Sequence, residues 1–383
     1  MSASLNRLKN LDGLRGWAAL TVVFGHLTRK IGPFKYLLFT PLTDTRLAVG
    51  IFFIISGFVL SYRFIGYRIE FITLAKIFVA RYIRLVIPIV VVTLLVLFLG
   101  FDLGALHNSK ASDIESLWGF GSFYTFNASL TDALKFSFWN VFVNYNNNHT
   151  YIPPSWTMPR ELLGSYFIYV ALFIIGFHNY WNRRRFFVTI IAVSAFLVNC
   201  IHFHYAVFFL YGYLLAEFHK SSTRSVSTPI SRLAFLVFVV LMIISSFRSP
   251  DRSATLLLVA MSFVVVWSVL YSQRLSNFFS NRLSQFLGKI SFPLYLIHVP
   301  IYCTFSSGLI IWLHRYGLSQ MQMYSVVFLS SVLLAILSAY LLYPVELFAI
   351  NLSRRINNFS AATLLGLWNI TSTNKNIKPY ESN

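Results

Sequence analysis

Hydrophobic residues in this chain fall in long uninterrupted runs, and the polar residues collect between them. Runs long enough to cross a hydrocarbon core of about 30 Å lie near residues 11–28, 47–66, 84–103, 161–179, 186–203, 233–247, 254–271, 292–313 and 325–350, and a shorter one at 205–218 is a candidate tenth. The pattern predicts an all-α, polytopic membrane protein of about ten transmembrane helices. Its largest polar interval, about 104–160, holds Asp, Ser and Asn clusters and ends in Pro153 and Pro154, so it reads as a loop folded over one mouth of the bundle.

Composition agrees. Of 383 residues 57% are hydrophobic and only 11% charged, and the mean hydropathy is +0.66, which excludes an ordinary soluble domain. The first run is not a cleaved signal peptide, because Asp12 and Arg15 interrupt it and no small-x-small cleavage pattern follows. A net charge of +19 would point to nucleic acid in a soluble protein; here the basic residues sit between apolar spans, where anionic headgroups and topology explain them and no nucleic-acid partner is expected.

Charge also arbitrates the number of crossings. With ten spans and a cytoplasmic N-terminus, twenty of the 31 basic residues fall on the inner side and nine on the outer, with Arg15 and Arg160 at span ends. Both termini are then cytoplasmic, the 104–160 loop is outside, and the short run at 205–218 counts as a crossing. Residues 1–355 are expected to form one transmembrane domain, and 356–383 a cytoplasmic tail that is partly disordered beyond about 368. Cys200 and Cys303 both lie in apolar stretches, so neither a disulfide framework nor a metal site is expected.

Ionisable residues inside apolar helices cost free energy and mark candidate sites. Arg15 and His26 share one face of the first helix, three turns and about 16 Å apart, with Asp12 one turn earlier. Ser56 and Gly57 interrupt the bulky row of the second span, as helix packing would require. Arg81 and Arg84 stand one turn apart at the expected inner end of the third span, where they either anchor the helix or hold the phosphates of a nucleotide-like donor. Trp156 precedes Arg160 and Glu161, which open the fourth span. Glu161 either orients His26 or pairs with Arg160 or Arg15. Tyr295 and His298 share a face of the ninth span, the tyrosine as a membrane-interface residue and the histidine toward the inner half, away from the level of His26.

LDGLRGWAAL followed by His26, FFIISGFVL, RYIRLVIP, SWTMPRE and GKISFPLYLIHVP occur in the order seen in acyltransferase family 3, and the chain resembles that family over about residues 8 to 350. The resemblance implies a membrane O-acyltransferase that moves acetyl from cytoplasmic acetyl-CoA, a substrate and not a resident cofactor, to a hydroxyl of a cell-surface or lipid-linked carbohydrate. Lipopolysaccharide O-antigen and exopolysaccharide are the acceptors of that kind, and a bacterial inner membrane the location. By resemblance His26 is the essential histidine, Arg15 its first-helix companion, and Arg81 with Arg84 the donor-binding pair; Glu161 is matched, with Thr157, Pro159 and Arg160 as departures around it. Gly50 stands where many members carry an acidic residue, and the esterase-like extension some members have is not expected here. His26 acts either as general base or through an acyl-histidine. A transporter or channel is the alternative for a bundle with buried charges, although no internal repeat is visible.

Overall fold

The computed structural model describes residues 8–29, 42–67, 69–177, 193, 205–221, 228–247 and 255–372. Their regular elements are helices joined by turns and irregular loops, without a strand among the described residues. The principal helices are α1 (Lys9–Arg29), α2 (Thr45–Tyr62), α3 (Phe71–Leu95), α4 (Asn108–Ile114), α5 (Leu130–Lys135), α6 (Val141–Val143) and α7 (Met158–Phe177). They continue with α8 (Ala206–Ser221), α9 (Thr228–Phe247), α10 (Thr255–Tyr271), α11 (Gln273–Phe279), α12 (Arg282–Ile301), α13 (Ser307–His314) and α14 (Gln320–Ser372). Three π-helical segments are interleaved: Val96–Asp102 after α3, Phe136–Asn140 after α5, and Tyr302–Ser306 between α12 and α13.

Among the described residues four helical units are long and apolar enough to cross a membrane: Thr45–Tyr62, Phe71–Asp102, Arg282–His314 and Gln320–Asn357. A fifth results if α10 and α11, bent by 93° at their junction, form one span. The protein is an integral membrane protein on this evidence. The sequence run at 205–218 is a helix, α8, but a short one of 16 residues, and the run at 186–203 lies almost wholly outside the described residues.

Two helix starts differ from the hydrophobic runs. The third span begins at Phe71, well before the apolar run at 84, so Arg81 and Arg84 lie about three and three and a half turns inside the helix and not at its end. The ninth begins at Arg282, not 292, because Asn281 caps it by accepting a hydrogen bond from the Ser284 amide at 2.8 Å. Hydropathy marks where lipid begins; a helix starts where its cap is.

The core is assembled by α1 lying along α12 and α2, α2 along α8, and α14 along α3 and α12. Glycines set these approaches. A Cβ on Gly16 would come within 2.3 Å of the Gly288 nitrogen, and one on Gly288 within 2.4 Å of the Asp12 oxygen. Gly57 and Gly212 do the same for α2 and α8: a Cβ at either would meet backbone oxygen of the other helix at 2.2 Å. Gly50 faces Ser262 and Phe208, and a Cβ there would already lie 2.2 Å from the Ser262 hydroxyl, which leaves no room for an acidic side chain at this position.

The 104–160 segment is pinned to the bundle. The His107 amide donates to the Cys303 carbonyl at 2.9 Å, Trp118 Nε1 donates to Ser307 Oγ at 2.9 Å, and the Asn108 amide group donates to the Phe120 and Phe123 carbonyls at 3.0 and 2.8 Å. Tyr145 donates to the Pro153 carbonyl at 2.7 Å, and burial pushes its phenol up to about 12, so this tether keeps its proton throughout the physiological range.

Candidate active site

α1 and α12 run parallel, in a register that sets Gly16 against Gly288. Ten residues further along each helix, about 15 Å, come His26 and His298. Nδ1 of His26 lies 2.8 Å from Nε2 of His298, and the two rings are stacked at 5.1 Å with an 11° tilt. The sequence reading that placed His298 at a different level from His26 is therefore corrected. It measured depth from the start of the apolar run, whereas both histidines stand sixteen or seventeen residues from their helix starts.

The hydrogen bonds assign the tautomers. His298 Nδ1 lies 3.0 Å from the Leu294 carbonyl, which only accepts, so that nitrogen carries the proton. In neutral His298 the Nε2 is then an acceptor, and His26 Nδ1 must donate to it. The basic lone pair of His26 is left on Nε2. His298 is fully buried and His26 only half-buried, so the outer imidazole is the one a substrate can meet. This is the division of labour of a reacting histidine and an orienting group behind it.

Tyrosines frame the pair. Tyr302 donates to the Val23 carbonyl at 3.0 Å and its ring lies 5.7 Å from that of His298. Tyr295, read from sequence as an interface residue, is buried instead: its hydroxyl donates to the Pro154 carbonyl and accepts from Thr157 at 2.7 Å, fastening the entry of α7 to α12. Arg160 stacks over the rings of Trp156 and Tyr205, each at 4.8 Å, which gives Trp156 a structural task.

Below the tyrosines a small pocket of about 70 Å³ is lined by Arg15, Arg81 and Arg84, by Glu161 and Glu346, and by apolar walls that include Phe52, Phe53 and Met158. Glu161 does not serve His26; its Oε1 is paired with Arg81 and accepts from Ser56 Oγ at 2.7 Å. Arg81 also donates to Ser165 at 2.9 Å, and Arg15 donates to Ser56 at 3.4 Å. Ser56 thus links two charged groups in addition to packing. Three guanidiniums against two carboxylates leave the pocket with a positive surplus beside an apolar wall. That combination suits an anionic head joined to a long uncharged arm. Asp12 stays at the base of α1, where its carbonyl lies against Gly288.

Sequence reasoning missed Ser165 and Glu346. Glu346 was visible as a carboxylate within the apolar run at 325–350, the same signal that singled out His26. Ser165 gave no signal, since a serine in a helix is unremarkable until its partner is known.

Fold and site together define a polytopic membrane protein with a stacked histidine pair above a cationic, partly apolar pocket. Residues 8–344 match a family model described as an acyltransferase domain, and the chain belongs to acyltransferase family 3; it is a membrane acyltransferase. No curated protein and no solved structure shows significant similarity to it.

Proposed function

We propose that the protein transfers acetyl from cytoplasmic acetyl-CoA to a hydroxyl of a cell-surface or lipid-linked carbohydrate. The observation that carries the reading is the His26–His298 pair, with its basic nitrogen on the more accessible ring, one helical turn from a pocket wall formed by Tyr295. In the proposed topology ten helices cross a bacterial inner membrane with both termini in the cytoplasm, and the arginine pocket opens inward.

Arg84 and Arg15 would hold the donor phosphates, with Arg81 fixed by Glu161 as part of the same positive wall. The pantetheine arm would run along the apolar wall toward His26. His26 Nε2 then takes the proton of the acceptor hydroxyl as its oxygen forms the C–O bond to the acyl carbon. The C–S bond breaks, and the departing thiolate recovers the proton from His26. His298 accepts the Nδ1–H hydrogen bond throughout, which favours the imidazolium formed midway; general-base catalysis of this kind contributes typically about 10²–10⁴ in rate.

The test is release of CoA thiol from acetyl-CoA by purified protein given candidate glycans. Glycan-dependent thiol release, with a matching mass increase of one acetyl group on the glycan, is the expected result; substrate flux without thiol release would mark a transporter.

A further inference from the structure

Between Gln320 and Ser353 the span α14 carries a single charged residue, Glu346. Its neighbours Leu341, Leu347 and Phe348 are exposed, yet Glu346 itself is only 8% exposed and lines the arginine pocket. An ionised carboxylate is expensive at such a place and is kept where it has a charge to meet. The charge it meets is that of Arg84, across the contact of α14 with α3.

The two carboxylates of the pocket are held differently. Glu161 is fastened to Arg81 and Ser56, and Arg81 in turn to Ser165, so that pair belongs to the wall. Arg84 and Glu346 each stand beside a proline inside their helix. Pro88 has no N–H to give to the Arg84 carbonyl, and Pro344 none to the Tyr340 carbonyl. Each helix therefore lacks a ladder hydrogen bond beside this pair, which is where it bends most easily.

We propose that Glu346 is a built-in counter-anion of the donor site: it neutralises Arg84 while the pocket is empty, gives way to a phosphate of the donor, and returns as CoA leaves. The inference rests on the reading of the pocket as the donor site and adds to it a residue that sets donor affinity. Acyl-CoA and product CoA carry the same phosphates, so this competition weakens both and favours product release. A carboxylate kept only to hold helices together would leave CoA affinity unchanged.

Equilibrium binding to the full-length protein in nanodiscs tests this without any chemistry. Glu346→Gln, which removes the charge and keeps the shape, should bind CoA at least about tenfold tighter than the wild type, the scale of one full charge acting on another near a protein surface. Pantetheine, which has the thiol arm without the phosphates, should bind no tighter. In turnover the variant should show a lower KM for acetyl-CoA and stronger inhibition by CoA, in the same ratio. CoA bound equally or more weakly by Glu346→Gln, or an equal gain for pantetheine, would overturn the proposal. Glu346→Ala gives the same comparison if the glutamine variant misfolds, and misfolding of both would make Glu346 a structural residue and refute its role here. The two readings fail separately: CoA that does not bind the wild type removes the donor site itself, whereas equal CoA binding by wild type and variant removes only the role of Glu346.

Discussion

At the scale of single residues, the central fact is a proton position. The Leu294 carbonyl fixes the tautomer of His298, and through it that of His26. His298→Ala should lower turnover by about 10²–10⁴, the range of a general-base contribution, while His298→Gln, whose amide oxygen can stand where Nε2 stood and accept from His26, should recover part of it in the same thiol-release assay. Equal loss in both variants would mean that His298 does more than accept one hydrogen bond. The ion pair of Arg81 and Glu161 makes a second prediction. Removing one partner of a buried pair typically costs about 3–5 kcal/mol, whereas replacing both with apolar groups is often neutral. Thermal unfolding in lipid should show Glu161→Leu strongly destabilised and the Arg81→Met, Glu161→Leu double variant less so. His26, Arg15, Arg81 and Arg84 were legible because ionisable groups are expensive in an apolar helix. Their partners were not, because a pairing across 272 residues, as between His26 and His298, depends on helix register that no local pattern encodes.

At the scale of helices, the site is a consequence of how closely α1 and α12 approach. Gly16 and Gly288 permit backbone contact, and the parallel register carries that contact ten residues on to the histidines. Gly16→Leu should separate the rings and abolish turnover while the protein still reaches the membrane, as measured by thiol release beside membrane quantification. Wild-type turnover in that variant would show that the close approach does not set the pair. The positions of helix ends explain where sequence reading fell short. GKIS and RYIR were recognised as motifs, but hydropathy started their helices ten or more residues late, because charged residues (Lys76, Arg81 and Arg84 in α3, Arg282 and Lys289 in α12) interrupt their first turns. Counting the helices from beyond Lys76, Arg81 and Lys289 turned a buried arginine into a surface one and moved His298 out of reach of His26.

At the scale of the whole molecule, an all-helical membrane protein was legible from composition and apolar runs alone, since no aqueous fold accommodates them. The number and direction of crossings rest on the distribution of basic residues. Single cysteines at Lys110→Cys and Arg354→Cys, both exposed positions, should react with a membrane-impermeant maleimide from opposite sides of sealed vesicles, the first from outside. Labelling of both from one side would refute the ten-span topology with cytoplasmic termini. With that topology the arginine pocket and the base on His26 lie along one path from donor to acceptor. The most direct measurement is CoA-thiol release by the purified protein from acetyl-CoA and an acceptor glycan, wild type against His26→Ala at equal membrane level and equal thermal stability. Glycan-dependent release that disappears in His26→Ala is the predicted result; undiminished release in that variant would contradict it.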